Sequence, residues 1–161
     1  MAELTQKELL QPALLDRLGD DEPTEKVESR EQRVLSFRKL KQSVIRDLQW
    51  LLNAGRLETT QDLSIYPHVR QSVLNFGIPD FTGMAASNAD RTTLERALRQ
   101  AIVDFEPRIL KNTLKVRAQA AAEHNTLVFE VEGELWAQPL PERLYLKTIL
   151  DLELGSVEVK L

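Results

Sequence analysis

From Arg33 onward, apolar residues recur at three- and four-residue steps: Val34, Phe37, Leu40, Val44, Ile45, Leu48, Leu51 and Leu52. That spacing gathers them on one face of a helix and leaves Arg38, Lys39, Lys41 and Arg46 largely on the others. Asn53-Ala54-Gly55 predicts the stop, with Gly55 as a left-handed cap. After Ile65-Tyr66-Pro67-His68, the positions Val69, Ser72, Val73 and Phe76 predict a short helix. Gly77-Ile78-Pro79-Asp80-Phe81-Thr82-Gly83 reads as an ordered loop, apolar residues punctuated by glycine and proline. A second long helix is predicted from about Thr92, where Thr92-Thr93-Leu94-Glu95 fits a capping box and Asp90 offers an earlier cap. Leu94, Leu98, Ala101, Ile102 and Phe105 form its buried stripe. Pro107 disfavours helical geometry at Glu106, so the helix should end there.

Beyond Arg108 the period changes from about 3.6 to 2. Leu110, Leu114, Val116 and Ala118 alternate with Lys111, Thr113, Lys115 and Arg117; Leu127, Phe129, Val131 and Leu135 alternate with Glu130, Glu132 and Glu134. These runs predict an antiparallel hairpin turning near Glu123-His124. Pairing Arg117 with Glu130 and Lys115 with Glu132 also sets Val116 opposite Val131 and Ala118 opposite Phe129. Each cross-strand pair contributes only about 0.2–1 kcal/mol, so the charge match selects the register rather than supplying the stability. A third run places Leu144, Leu146, Leu150, Leu152 and Leu154 on one face, and a short strand Val157–Leu161 follows Gly155. The expected fold is α+β: N-terminal helices, then a C-terminal antiparallel sheet with one face packed by helices.

The N-terminal stretch Gln11–Leu18 predicts one or two amphipathic turns, and Gly19–Thr24 an exposed polar linker. We therefore divide the chain into an acidic N-terminal segment, 1–27, and a single α+β domain, 28–161. Its 161 residues and 42% hydrophobic content suit one core. The formal net charge is only −4, and its partition says more than its size. Residues 1–27 and 126–161 each carry seven acids and three bases; residues 28–58 carry seven bases and four acids, and 107–125 four bases and one acid. The basic helix positions read as a solvated face, and the overall balance gives no argument for nucleic acid. No run approaches the roughly 20 apolar residues of a membrane span, and Glu3, Lys7 and Glu8 interrupt any secretory signal. A cytosolic protein with no direct membrane insertion is the expectation.

Candidate chemistry is sparse. Cysteine is absent and only His68 and His124 occur, so thiolate catalysis and three-histidine metal sites are excluded within one chain. No cofactor or metal is expected. His124 reads as a turn residue, His68 as a helix-start residue, and Trp50 and Trp136 as core or rim positions. A glycoside hydrolase needs two carboxyl groups across a sugar cleft; Glu106 beside Phe105 and the neighbouring Asp104 are the available pair, with nothing else marking such a cleft. Phe105-Glu106-Pro107-Arg108-Ile109 is the more informative unit, because proline sets two opposite charges about a rigid bend. Either the pair is satisfied within its own chain, or it presents a fixed charge pattern to a partner.

At this junction the chain resembles a family. Glu106-Pro107-Arg108 matches the hallmark of TssE-type baseplate subunits of the bacterial type VI secretion system, related to the small wedge protein of contractile phage baseplates. Leu14-Leu15-Asp16-Arg17-Leu18, Ser43–Asn53, Ser72–Asp80, Leu135–Glu142 and Leu150-Asp151-Leu152-Glu153 support it in consistent order. The resemblance implies a non-enzymatic baseplate component that joins wedge subunits and helps initiate the contractile sheath. It implies contacts of Glu106, Pro107 and Arg108 with TssF and TssG, and further partners in TssK, the spike and the sheath subunits TssB and TssC. It places the protein in the bacterial cytoplasm, in a baseplate docked at the cytoplasmic face of the inner membrane. Family members also resemble part of the sheath subunit, as a template for its first ring; some carry a lysozyme-like label that these residues support little. A strand with a free edge can join another sheet by main-chain pairing, so Val157, Glu158, Val159, Lys160 and Leu161 are the candidate sheath contact. The acidic N-terminal segment is a further candidate for docking on a wedge partner. Alanine at Glu106 or Arg108 is expected to leave the fold largely intact while weakening wedge binding. The alternatives are a cytosolic adaptor on the same scaffold and, less well supported, a cell-wall hydrolase.

Overall fold

The computed structural model describes residues 14–18, 37–81, 88–120, 126–137 and 141–160. Helices α1 (Leu14–Leu18), α2 (Phe37–Asn53), α3 (Pro67–Arg70) and α4 (Asn88–Phe105) precede strands β1 (Lys115–Ala120), β2 (Thr126–Leu135), β3 (Glu142–Asp151) and β4 (Val157–Lys160). The strands form one antiparallel sheet in the order β1-β2-β3-β4. This is the α+β arrangement read from the change of period.

The two apolar helix stripes meet the sheet where expected. Leu40, Val44, Leu48, Leu51 and Leu52 of α2 are buried, as are Leu94, Leu98, Ala101 and Ile102 of α4. Opposite them lie Leu127, Phe129, Val131 and Leu135 of β2 and Leu144, Leu146 and Leu150 of β3. Full burial of each such side chain contributes roughly 1.5–3 kcal/mol, so this layer dominates the stability.

The hairpin register is the one the charges select: Lys115 faces Glu132, Val116 Val131, Arg117 Glu130 and Ala118 Phe129. Among the described residues no ion pair within 4.0 Å joins these charges. Their match therefore discriminates between registers through opposite sign at a distance. The predicted turn at Glu123-His124 lies outside the described residues, as do Val34 and the 19–24 linker.

Several local expectations need correction. Gly55 is not left-handed; it pairs with Ile78 in a parallel bridge, and the positive φ falls instead on Gly77, at 128°. Helix α4 begins at Asn88, ahead of both predicted caps. Strand β1 starts only at Lys115, because Thr113 N–H donates to Leu110 O at 3.0 Å and turns the chain first. Leu154 is 77% exposed: the 151–154 turn, held by Asp151 Oδ1 accepting from Glu153 and Leu154 N–H, breaks the alternation after Leu152. Trp50 and Trp136 are half-exposed rim residues.

Strand β4 forms as predicted, but its outer edge is not bare. Asn53 Nδ2 donates to Val157 O at 2.8 Å, and Val157 N–H donates to Asn53 Oδ1 at 2.9 Å. Gln49 Oε1 accepts from Val159 N–H at 2.8 Å, and Gln49 Nε2 also reaches Val157 O. Two carboxamides one turn apart on α2 thus serve as a surrogate strand. Leu161 lies outside the described residues.

Candidate functional site: the Glu106-Pro107-Arg108 junction

The end of α4 builds the junction. Glu106 N–H completes the last turn by donating to Ile102 O at 2.9 Å, and Pro107, lacking an N–H, turns the chain out of the helix. Arg108 O then accepts from Trp136 N–H at 2.7 Å, Leu110 N–H donates to Glu134 O at 2.9 Å, and Ile109 bridges Leu135. The bend is fastened to the end of β2 immediately after it leaves α4.

The side chains fold inward. Glu106 is 3% exposed, a burial that a carboxylate tolerates only with a partner. Arg108 supplies it: Nε donates to Oε1 at 2.7 Å, Nη2 donates to Oε2, and the Arg108 backbone N–H donates to Oε1 at 3.2 Å. The same guanidinium crosses to α2, where Nη2 donates to Asp47 Oδ2 at 2.6 Å and Nη1 to Ser43 Oγ at 3.1 Å. Ser43 can accept because its own proton goes to Leu40 O. Burial opposes the charge on Arg108, but hydrogen bonds and Coulombic attraction from Glu106 and then Asp47 outweigh it and raise the pKa above the usual arginine value. The guanidinium is a permanent cation.

The network continues outward. Arg46 Nε donates to Asp47 Oδ1 at 2.9 Å, and Nη1 donates to Asp16 Oδ1 of α1 at 2.6 Å. Arg46 also stacks over the Trp50 ring, 5.5 Å from its centre. Desolvation again works against the cation, and the hydrogen bonds from Asp16 and Asp47 reverse it, raising its pKa. Charges alternate along Asp16–Arg46–Asp47–Arg108–Glu106. This chain ties α1, α2 and the end of α4 together.

Above the network opens a groove of about 580 Å³ with a mainly apolar lining. Leu15, Trp50, Phe76, Phe105 and Pro107 line it, with Asp47, Glu106 and Arg108 among its polar members. Phe76 and Phe105 meet edge to face at 5.4 Å.

Of the residues read as a site, the structure gathers Glu106, Pro107 and Arg108, exposing Pro107 and burying Glu106. It sets Val157–Lys160 at the sheet edge under α2. The self-satisfied reading of the junction holds for its charges, so the expectation that alanine at Glu106 or Arg108 leaves the fold intact is revised: either change disrupts a buried ion pair. Glu106 does not suit a glycosidase acid, because both its oxygens are engaged by Arg108 and closed off from solvent. Asp104 is exposed and accepts from Gln100 at 2.7 Å. Among the described residues no cluster of three His, Cys, Asp or Glu side chains suits a metal ion, and no helix is long and apolar enough to cross a membrane. Ser43 and Asp47 were missed. The available signal was a serine within the apolar stripe of α2 with an acid four residues on, one turn away on the same side.

Residues 38–140 match the protein family described as Baseplate wedge protein gp25, a span that contains all of α2 but Phe37, together with α4, the junction and the β1–β2 hairpin. No curated protein matches significantly. Among solved structures, a Geobacter sulfurreducens protein provisionally named a tail lysozyme aligns with a TM-score of 0.52 at 19% identity, covering 74% of this chain and 95% of that one. A chain of the baseplate complex from the type VI secretion system aligns with a TM-score of 0.43 at 20% identity, covering 70% and 94%.

Proposed function

The chain belongs to the Baseplate wedge protein gp25 family, and from that premise we propose that it is a TssE-type subunit of a bacterial type VI secretion baseplate. In that role it joins the wedge subunits TssF and TssG and helps start the contractile sheath. The observation that carries the reading is the junction itself: the matched span holds a Glu-Pro-Arg bend whose charges are used internally and whose proline and aromatic neighbours open onto an apolar groove. Such a groove, with a half-exposed tryptophan at its rim, suits a buried protein anchor. Glu106 acts by bracing Arg108, Arg108 by fixing α2 against the bend, and Pro107 with Trp50 by meeting the partner. The work is structural, not enzymatic. Its place is the cytoplasmic face of the inner membrane, reached through its partners, with TssK and the spike as further neighbours.

Copurification tests this reading. The full-length chain should capture TssF and TssG, and Trp50→Glu should weaken capture about thirtyfold, the size of an interfacial hot spot of about 2 kcal/mol. Its melting temperature should hold, since Trp50 is half-exposed. A native chain that captures neither subunit, or full capture by Trp50→Glu, counts against the proposal.

For TssB and TssC the proposed contact is β4, joined by strand addition once the carboxamides of Gln49 and Asn53 release its outer edge. Val159 is the informative position: its N–H points away from β3 and serves only this edge. Val159→Pro removes that donor while keeping the β3 ladder. Sheath assembly should fall severalfold in a secretion assay while wedge capture persists; unchanged assembly with a folded variant removes β4 from the interface.

A further inference from the structure

Helix α1 lies outside the matched residues 38–140, yet it touches the groove. Leu15 lines the cavity beside Trp50 and Pro107, and Asp16 anchors the helix through its 2.6 Å bond to Arg46. The Asp16 side chain is only 16% exposed. Two features show that α1 does not simply plug the groove. About 580 Å³ remains open with Leu15 as part of its lining, and Leu14 and Leu18 stay 70% and 73% exposed. An occupant would fill the space and bury its leucines.

We infer that α1 is a wall of the docking site, held in place by Asp16–Arg46, and that the groove takes a partner helix with an apolar anchor and a lysine or arginine beside it. The inference rests on the baseplate reading for the identity of that partner. The cation follows from the charges. Three carboxylates, on Asp16, Asp47 and Glu106, face two guanidinium groups, on Arg46 and Arg108. Asp16 Oδ2 is buried without a hydrogen-bond partner, so the carboxylate is answered through Oδ1 alone, and a partner's ammonium or guanidinium group beside this edge of the groove offsets the remaining negative charge. The exposed leucines of α1 extend the apolar surface along which the partner's anchor lies. Because a single charged bond, Asp16 to Arg46, is the anchor named here, partner binding against the wall and that bond reinforce one another.

Two measurements on the full-length chain test the inference. The native sequence has no cysteine, so a spin label on Leu14→Cys is unique. It should broaden the Trp50 indole resonance, and adding Asp16→Lys should remove that broadening. A label without effect on Trp50 in the otherwise native chain overturns the inference. In copurification with TssF and TssG, Asp16→Ala should lower capture about threefold and Asp16→Lys about tenfold or more, with melting changed little because Arg46 keeps Asp47 as its partner and α1 lies outside the core. Capture that is unchanged or enhanced by both substitutions contradicts a wall, and enhancement identifies a plug. Equal losses for alanine and lysine contradict the partner cation. If the native chain captures no wedge subunit, the baseplate reading fails; if it captures them and the Asp16 variants do so equally, only the wall fails.

Discussion

Arg108→Ala should lower the unfolding free energy by about 3–5 kcal/mol, the cost of removing one member of a buried ion pair. The magnitude follows from what is left behind. Glu106, 3% exposed, loses every side-chain donor it has from Arg108, while Asp47 and Ser43 lose the group that joins α2 to the bend. For a domain of this size the melting temperature should fall by roughly 10 °C, read in a thermal scan. Glu106→Leu with Arg108→Met replaces the pair by apolar side chains of similar size and should recover most of the loss, because neither a buried charge nor an unpaired buried polar group remains at position 106. Wedge capture separates brace from contact. If the double variant is stable and still captures TssF and TssG, the charges serve the fold and the groove alone serves the partner. If Arg108→Ala melts like the native chain, the buried pair is not the brace described above.

The second large effect falls on Gly77, far from the motif in sequence. Its φ of 128° is strained for any side chain, and a Cβ there would lie 2.3 Å from Ala54 O and 2.7 Å from Ala54 C. The backbone cannot yield cheaply. Ala54 O accepts from Ile78 N–H at 2.8 Å, and Arg56 Nε donates to Gly77 O at 2.7 Å, so the loop is bonded on both sides of the contact. Gly77→Ala should cost about 3 kcal/mol or more in urea unfolding, combining backbone strain with the overlap. It should also weaken wedge capture, because the adjacent Phe76 lines the groove and packs on Phe105. A cost below about 1 kcal/mol would show that the loop has room to shift.

The parts of this structure that periodicity encodes were readable. The stripes of α2 and α4, the end of α4 at Pro107 and the hairpin register all depend on residues near one another in the pattern. The register was readable because two independent signals, charge and apolarity, agreed on one alignment. What escaped were pairings between distant segments. Gly55 looks like a helix cap in isolation, but Ile78 draws its backbone into a bridge and moves the left-handed conformation to Gly77. Val157 and Val159 read as a free edge, since nothing local announces that Gln49 and Asn53 stand in for a neighbouring strand. Glu106 and Arg108 read either as satisfied within their own chain or as displayed to a partner, and nothing local names Ser43 and Asp47, more than 50 residues away, as the further partners of Arg108. The motif was legible as a site and its mutual pairing as one of two readings; the tie to α2 and the outward-facing groove were not.

That division between brace and contact surface is the centre of the account, and site-specific photo-crosslinking tests it most directly. A crosslinking residue at Trp50, on the rim of the groove, should join the full-length chain to TssF or TssG. The same residue at Tyr145, 48% exposed on the sheet face opposite buried Leu144 and Leu146, should join it to neither. Wedge adducts from Tyr145, with none from Trp50, would contradict the groove beside Glu106-Pro107-Arg108 as the docking site.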